Sequence, residues 1–163
     1  MSGRDLVAPV RELYEAYAAE AERLERERKP GQGIFGLPGG PKDHPCHEQF
    51  GLRLEALLAR IAAQEPSSDE LRPMLEYIYR APREHRSPQT VYWMFQAVHG
   101  LTAALAERLD PADARALQDE YAKTYRRWER LPAQKKVLAA LERARKGRLT
   151  RNAPPQAADR ARK

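Results

Sequence analysis

The sequence predicts an all-α fold, an up-and-down bundle of five or six helices. Apolar residues recur at the three- and four-residue spacing of amphipathic helices along most of the 163 residues, and no segment alternates in the manner of a strand. Helix-start and helix-stop residues separate these stretches, and the connections are short except for one glycine-rich loop between helices 1 and 2. A chain of this length can bury a single core without disulfides.

The first helix is predicted over residues 5–28, where leucine, valine and tyrosine recur on one face and a Pro-Gly pair follows. The second helix begins around Pro45, because proline suits the first helical position, and Asp43 or His44 would cap it. A Glu-Pro pair at 65–66 ends this second helix.

Helix 3 has the clearest start signal in the chain. Ser67 is followed three residues later by Glu70, which is the pattern of a capping box. The helix is expected to stop before Pro82. Helix 4 opens at Ser87-Pro88, and because its next twenty residues are apolar almost all round, we expect one continuous central helix.

Helix 5 opens at Asp110-Pro111, and its apolar residues repeat at helical spacing as far as Trp128. Leu131-Pro132 separates it from helix 6, which is expected to end at Gly147. The predicted organisation is therefore a helical bundle over 1–147 and a disordered basic tail over 148–163.

The charge of the chain is concentrated in that tail. Residues 1–142 hold 21 basic and 22 acidic residues, whereas residues 143–163 hold eight basic residues and one acidic residue. The net charge of +6 therefore predicts, at most, weak and salt-sensitive binding of nucleic acid by the tail. The excess of arginine over lysine, 22 to 7, is typical of a GC-rich bacterial genome.

A cytoplasmic location is expected from the cysteine content and the N-terminus. The chain has a single cysteine, so it has no internal disulfide framework, and it begins with a charged segment rather than a secretory leader. No apolar run approaches the ~20 residues of a membrane span.

Strict alternation of helix direction has a consequence for function. The loops at 29–44, 80–87 and 129–132 would all lie at the same end of the bundle. Most of the chemically versatile side chains of the chain would then gather at that pole.

The glycine-rich loop contains a literal G-x-G-x-x-G at residues 31–36. A dinucleotide fingerprint needs a strand before it and a helix directly after it, and this segment has neither. We therefore expect no nucleotide at this motif. The glycines would instead allow a tight backbone path, and Gly33 and Gly36 are candidate ligand-binding positions.

The end of the same loop is dense in residues that ligate metals. His44, Cys46 and His47, with His85 from a neighbouring loop, could bind zinc or another divalent ion. The spacing matches no standard zinc motif, so two alternatives stay open. In the first, Asp43 and His44 would cap the helix, Cys46 would pack as a small apolar residue, and His47 would be a surface or hydrogen-bonded histidine. In the second, Cys46 would be a reactive thiol whose pKa is lowered by the helix dipole and a histidine.

The segment before helix 4 is a candidate anion site. Arg80, Arg83 and Arg86 lie close to a predicted helix start, and guanidinium groups bind phosphate and carboxylate well. Neighbouring acids could equally neutralise these arginines.

The remaining histidine and most aromatic residues are expected to be structural. His99 lies in the middle of helix 4, where we expect a buried hydrogen bond to a tyrosine of another helix, with Tyr14, Tyr17 and Tyr77 as candidates. The aromatic residues expected to pack in the core, rather than to form a stacking platform for a ligand, are Tyr92, Trp93, Phe95 and Trp128.

Three segments, KPGQGIFG, GPKDHPCHEQF and IYRAPREHRSPQTVYWM, resemble small arginine- and alanine-rich helical proteins of bacteria. That resemblance implies no activity and no residue role. The sequence therefore predicts a non-catalytic binding module, whose pole formed by loops 29–46 and 80–88 binds a protein or a small anionic ligand.

Overall fold

A computed structural model describes residues 3–27, 44–128 and 131–151. Its helices are α1 (Val7–Arg26), α2 (Pro45–Ala63), α3 (Ser68–Arg80), α4 (Pro88–Tyr92), α5 (Ala103–Ala106), α6 (Pro111–Thr124) and α7 (Pro132–Arg151). Short 3₁₀ and π turns lie between some of them, and the described part of the chain has no strand. The predicted all-α bundle is confirmed. Most of the glycine-rich loop lies outside the described residues.

Contacts between helices show that their directions alternate. The Tyr17 hydroxyl in α1 lies 2.7 Å from Nδ1 of His47 in α2, and at the opposite end Arg4 contacts Gln64. In the same way, Gln134 Nε2 near the start of α7 donates to the carbonyl of Tyr125 just after α6. The turn after α3, the start of α4 and the end of α6 lie at one pole, since residues from all three line one cavity. Residues 29–43 of the loop predicted at the same pole lie outside the described residues.

Two helix starts form as the sequence predicts. The His44 side chain caps α2 by accepting a hydrogen bond from the Cys46 backbone N–H, at 3.2 Å. The Ser67–Glu70 capping box forms at α3, with Ser67 Oγ accepting from the Glu70 N–H and the Glu70 carboxylate accepting from the Ser67 N–H. Both side chains satisfy backbone donors that a helix leaves unpaired at its start.

The expectation of one continuous helix 4 is wrong. After Tyr92 the backbone widens into a π-helical turn at Trp93–Ala97, tightens into a 3₁₀ turn at His99–Thr102, and only then forms α5. Side-chain bonds accompany the change, since the Thr102 hydroxyl donates to the carbonyl of His99 at 2.7 Å. Such a bond competes with the regular helical pairing of that carbonyl.

Three other helix boundaries, the start of α1 and the ends of α6 and α7, differ from the predicted ones. Helix α1 begins at Val7 because the Asp5 carboxylate accepts from the N–H groups of the first turn. Helix α6 ends at Thr124, so Trp128 lies in a separate 3₁₀ turn, Arg126–Trp128. Helix α7 continues to Arg151, past the expected end at Gly147. The rest of the predicted tail lies outside the described residues.

An aromatic cluster joins α3, the interrupted helix and α6 in the core. His99 is fully buried and lies against four aromatic rings, with centroid distances of 4.8 to 5.6 Å. Its partners are Tyr79, Phe95, Tyr121 and Tyr125. Aromatic pairs in edge-on and tilted arrangements stabilise the fold by more than the burial of their surface area alone would. The expected core position of Tyr92 is wrong, because its side chain is 54% exposed.

Candidate functional site

A cleft of about 620 Å³ opens at the predicted pole, between the turn that follows α3 and the end of α6. We call it the basic cleft. The residues that line it are Pro82, Arg83, His85, Val91, Lys123, Thr124, Tyr125, Arg126, Arg127 and Trp128. Two segments far apart in sequence therefore contribute side chains to one concave surface.

The basic cleft is strongly cationic. Four of its lining residues carry a positive charge, His85 adds an imidazole ring, and none of the described lining residues is acidic. Within the described residues, none of these Arg and Lys side chains forms an ion pair. Arg80, one turn away, differs because its guanidinium lies 3.5 Å from a carboxylate oxygen of Glu120.

The wall between α6 and α7 is held by hydrogen bonds. The carbonyl of Tyr125 accepts from Gln134 Nε2 and from the Trp128 backbone N–H, each at 2.9 Å. The Tyr125 hydroxyl donates to the carbonyl of Tyr79. Burial raises the pKa of the Tyr125 phenol, while nearby Arg83 acts in the opposite direction. The turn carrying the cleft arginines is thus fastened to two helices.

The predicted anion-binding residues have different positions. Arg83 lines the basic cleft, Arg80 lines a smaller neighbouring cavity, and Arg86 is exposed and lines neither. Gly33 and Gly36 lie outside the described residues. The predicted pole is therefore cationic, but its charge is centred on a different set of side chains.

Sequence reasoning missed Lys123, Arg126 and Arg127. They fall in the run KTYRRW, which reads as an ordinary basic helix end, because cations are favoured near a helix C-terminus. These residues line the same cleft as Arg83 because a 3₁₀ turn follows α6, and the helical periodicity did not predict that turn.

The four residues predicted to bind metal are divided between two places. His44 and Cys46 line a cavity of about 330 Å³ between α1 and α2, whereas His85 lines the basic cleft. Nδ1 of His47 lies 2.7 Å from the Tyr17 hydroxyl, and its ring stacks on Trp93. Among the described residues, no three His, Cys, Asp or Glu side chains are grouped so as to hold a metal ion. A zinc site stays a prediction.

The alternative of a reactive Cys46 required a lowered thiol pKa, and the structure favours the opposite direction. Burial and, to a smaller extent, the carboxylate of Glu20 raise the pKa of the thiol, while Arg23 acts in the opposite direction. A raised pKa leaves less thiolate at neutral pH, and the thiolate is the nucleophile. The structure therefore gives no support to thiol chemistry at this position.

His99 is buried and hydrogen-bonded to a tyrosine, as predicted, but the tyrosine is a different one. His99 bonds Tyr121 and the carbonyl of Ile78, rather than a tyrosine from the expected set. Because that carbonyl only accepts, Nε2 of His99 carries the proton and Nδ1 accepts from the Tyr121 hydroxyl. His99 is a neutral structural residue.

Comparison with protein-family models, with curated proteins and with solved structures finds no match for this chain. The resemblance to small bacterial helical proteins therefore stays a prediction. No helix among the described residues is long and apolar enough to cross a membrane.

Proposed function

We propose that this protein is a binding module for a small anionic ligand and that the basic cleft is its binding site. The observation that carries the proposal is the convergence of Arg83, Lys123, Arg126 and Arg127 on one surface, where none of the described lining residues is acidic. Grouped like charges repel one another, and here no described carboxylate pairs with them. A bound anion would relieve that repulsion.

The shape of the basic cleft supports a small ligand rather than a flat protein surface. Its volume of about 620 Å³ falls within the usual range of ligand pockets, roughly 300–1,000 Å³. Arginine forms paired hydrogen bonds with phosphate and carboxylate oxygens, so three arginines favour a group with several oxygens, such as phosphate.

Calorimetric titration with inorganic pyrophosphate tests the proposal. We expect saturable binding that weakens as salt is raised, since exposed charges are screened. Replacing either Arg83 or Arg126 with glutamine should weaken it about tenfold, because a hydrogen bond to a charged group contributes about 1.5–3 kcal/mol.

Arg86→Gln is the matched control, because Arg86 belongs to the same segment as Arg83 but does not line the basic cleft. Its affinity for pyrophosphate should equal that of the unaltered protein. Absence of binding at millimolar pyrophosphate, or an equal loss in the control variant, would refute the proposal.

A further inference from the structure

The basic cleft has an apolar wall as well as cations. Val91 and the indole of Trp128 are partly exposed and line it beside the arginines, whereas Pro82, which also lines it, is buried. An inorganic anion would use the cations and leave these surfaces in water. A ligand that also carries a flat, apolar group would contact both the cations and the apolar wall, and removing that apolar surface from water favours binding.

Trp128 is well placed to hold such a flat group. Its ring is partly exposed and packs edge-on against Phe95, with centroids 4.6 Å apart and planes at 73°. Its backbone N–H donates to the Tyr125 carbonyl, and its own carbonyl accepts from the Leu131 N–H. The indole is therefore fixed before any ligand arrives, which lowers the entropy cost of binding.

The cations of the cleft come from two segments. Arg126 and Arg127 immediately precede Trp128 in the same 3₁₀ turn, and Arg83 comes from the segment after α3. A planar ring stacked on the indole would thus share the cleft with guanidinium groups that could bind an attached phosphate. Aromatic side chains and arginine together are a recurring means of holding a base and its phosphate.

We propose that the ligand of the basic cleft is a nucleoside phosphate, with its base on Trp128 and its phosphate among Arg83, Arg126 and Arg127. This proposal rests on the proposed function. The glycine-rich motif at 31–36 lies outside the described residues, and the proposal does not depend on it, so it differs from the dinucleotide fingerprint considered above. The nucleoside phosphate could be a free nucleotide or the end of a single strand of nucleic acid.

Calorimetry with three probes tests the role of the base. Adenosine 5′-monophosphate should bind about tenfold more tightly than ribose 5-phosphate, which lacks the base, because stacking contributes about 1–3 kcal/mol per base. Trp128→Ala should remove that difference, and Trp128→Phe should keep most of it. Pyrophosphate binding should be the same in both variants, which also shows that they are folded.

The outcomes separate this proposal from the one on which it rests. Equal affinities for the nucleotide and the sugar phosphate would overturn nucleoside recognition while leaving the anion site intact. Absence of pyrophosphate binding would overturn both. A 5′-phosphorylated single-stranded tetranucleotide distinguishes the sources: tighter binding than the mononucleotide assigns a strand, and equal or weaker binding assigns the free nucleotide.

Discussion

His99 is a buried histidine whose pKa differs strongly from that of a histidine in water. Burial lowers its pKa from the usual 6.5 to about 3, and the hydrogen bond with the Ile78 carbonyl offsets only part of this effect. The folded protein therefore keeps His99 neutral at a pH where the unfolded chain takes up a proton. Between these two pKa values the unfolded state binds more protons, so stability falls as pH falls.

We expect His99 to make folding stability depend on pH between 6.5 and 3. The free energy of unfolding should drop by about 2 kcal/mol between pH 7 and pH 5, since each unit below 6.5 costs about 1.4 kcal/mol. His99→Gln should be less stable at pH 7 and should lose most of this dependence. Urea denaturation at both pH values measures it.

His85→Gln is the control, because the His85 side chain is only partly buried. The expectation would be contradicted if His99→Gln kept the same pH dependence as the unaltered protein. The carboxylates do not interfere, since the pKa values of Glu70 and Glu142 lie at about 2, so their contributions are lost only below about 4.5.

The start of α3 shows how one helix end fixes the N-terminal segment. Glu70 completes the capping box and also accepts from the Arg4 backbone N–H and from its guanidinium, at 2.9 and 3.1 Å. Arg4 further donates to the side-chain and backbone oxygens of Gln64 at the end of α2. The pKa of Glu70 is lowered to about 2, chiefly by the hydrogen bond from Arg4.

Removing the cap should loosen this end of the bundle. Ser67→Ala should lower the free energy of unfolding by about 1 kcal/mol, as is typical when an N-cap is lost. Thermal denaturation followed by circular dichroism measures the change. Ser67→Asp, which keeps an acceptor at the cap, should restore most of the stability, and a full loss in both variants would contradict the role of the hydroxyl.

At the level of the complete bundle, one polar group connects α3 to α6. The buried Ser68 hydroxyl donates to the Asp113 carboxylate at 2.7 Å and accepts from the Asp110 N–H at 2.8 Å. Arg72 donates to the other carboxylate oxygen at 2.8 Å. These bonds join α3, which packs on α1, to α6, which packs on α7.

Ser68→Ala should therefore destabilise the whole domain. We expect a loss of about 2 kcal/mol, because the Asp113 oxygen and the Asp110 N–H lose a partner within a partly buried site. The dependence of stability on urea concentration should keep its slope if the bundle still unfolds as one unit. An unchanged urea midpoint would contradict the connecting role of Ser68.

Most of the fold could be predicted from local signals. The capping box at Ser67 and the proline after His44 fix helix starts through the first turn alone, and both form as expected. The interruption at residues 93–102 could not be predicted, because it depends on the tertiary partners of His99 and on the Thr102 hydroxyl. Helical periodicity contains no information about either contact.

The sequence predicted where the candidate site lies, but only some of the residues that line it. Alternation of the helices placed Arg83 and His85 at one pole with the turn between α6 and α7. The contribution of Arg126 and Arg127 depends on α6 ending at Thr124, where the backbone changes to a 3₁₀ turn. Side-chain directions change with that turn, so the cleft could be identified only from the structure.

The placement of the two tryptophans gives the protein an intrinsic optical reporter. Trp93 stacks on His47 at 6.0 Å with planes at 13°, whereas Trp128 lines the basic cleft. In a Trp93→Phe variant, all tryptophan fluorescence would therefore come from Trp128 in the cleft. Its intensity and wavelength would follow occupancy of that cleft without any attached dye, in a chain whose only other emitters are tyrosines.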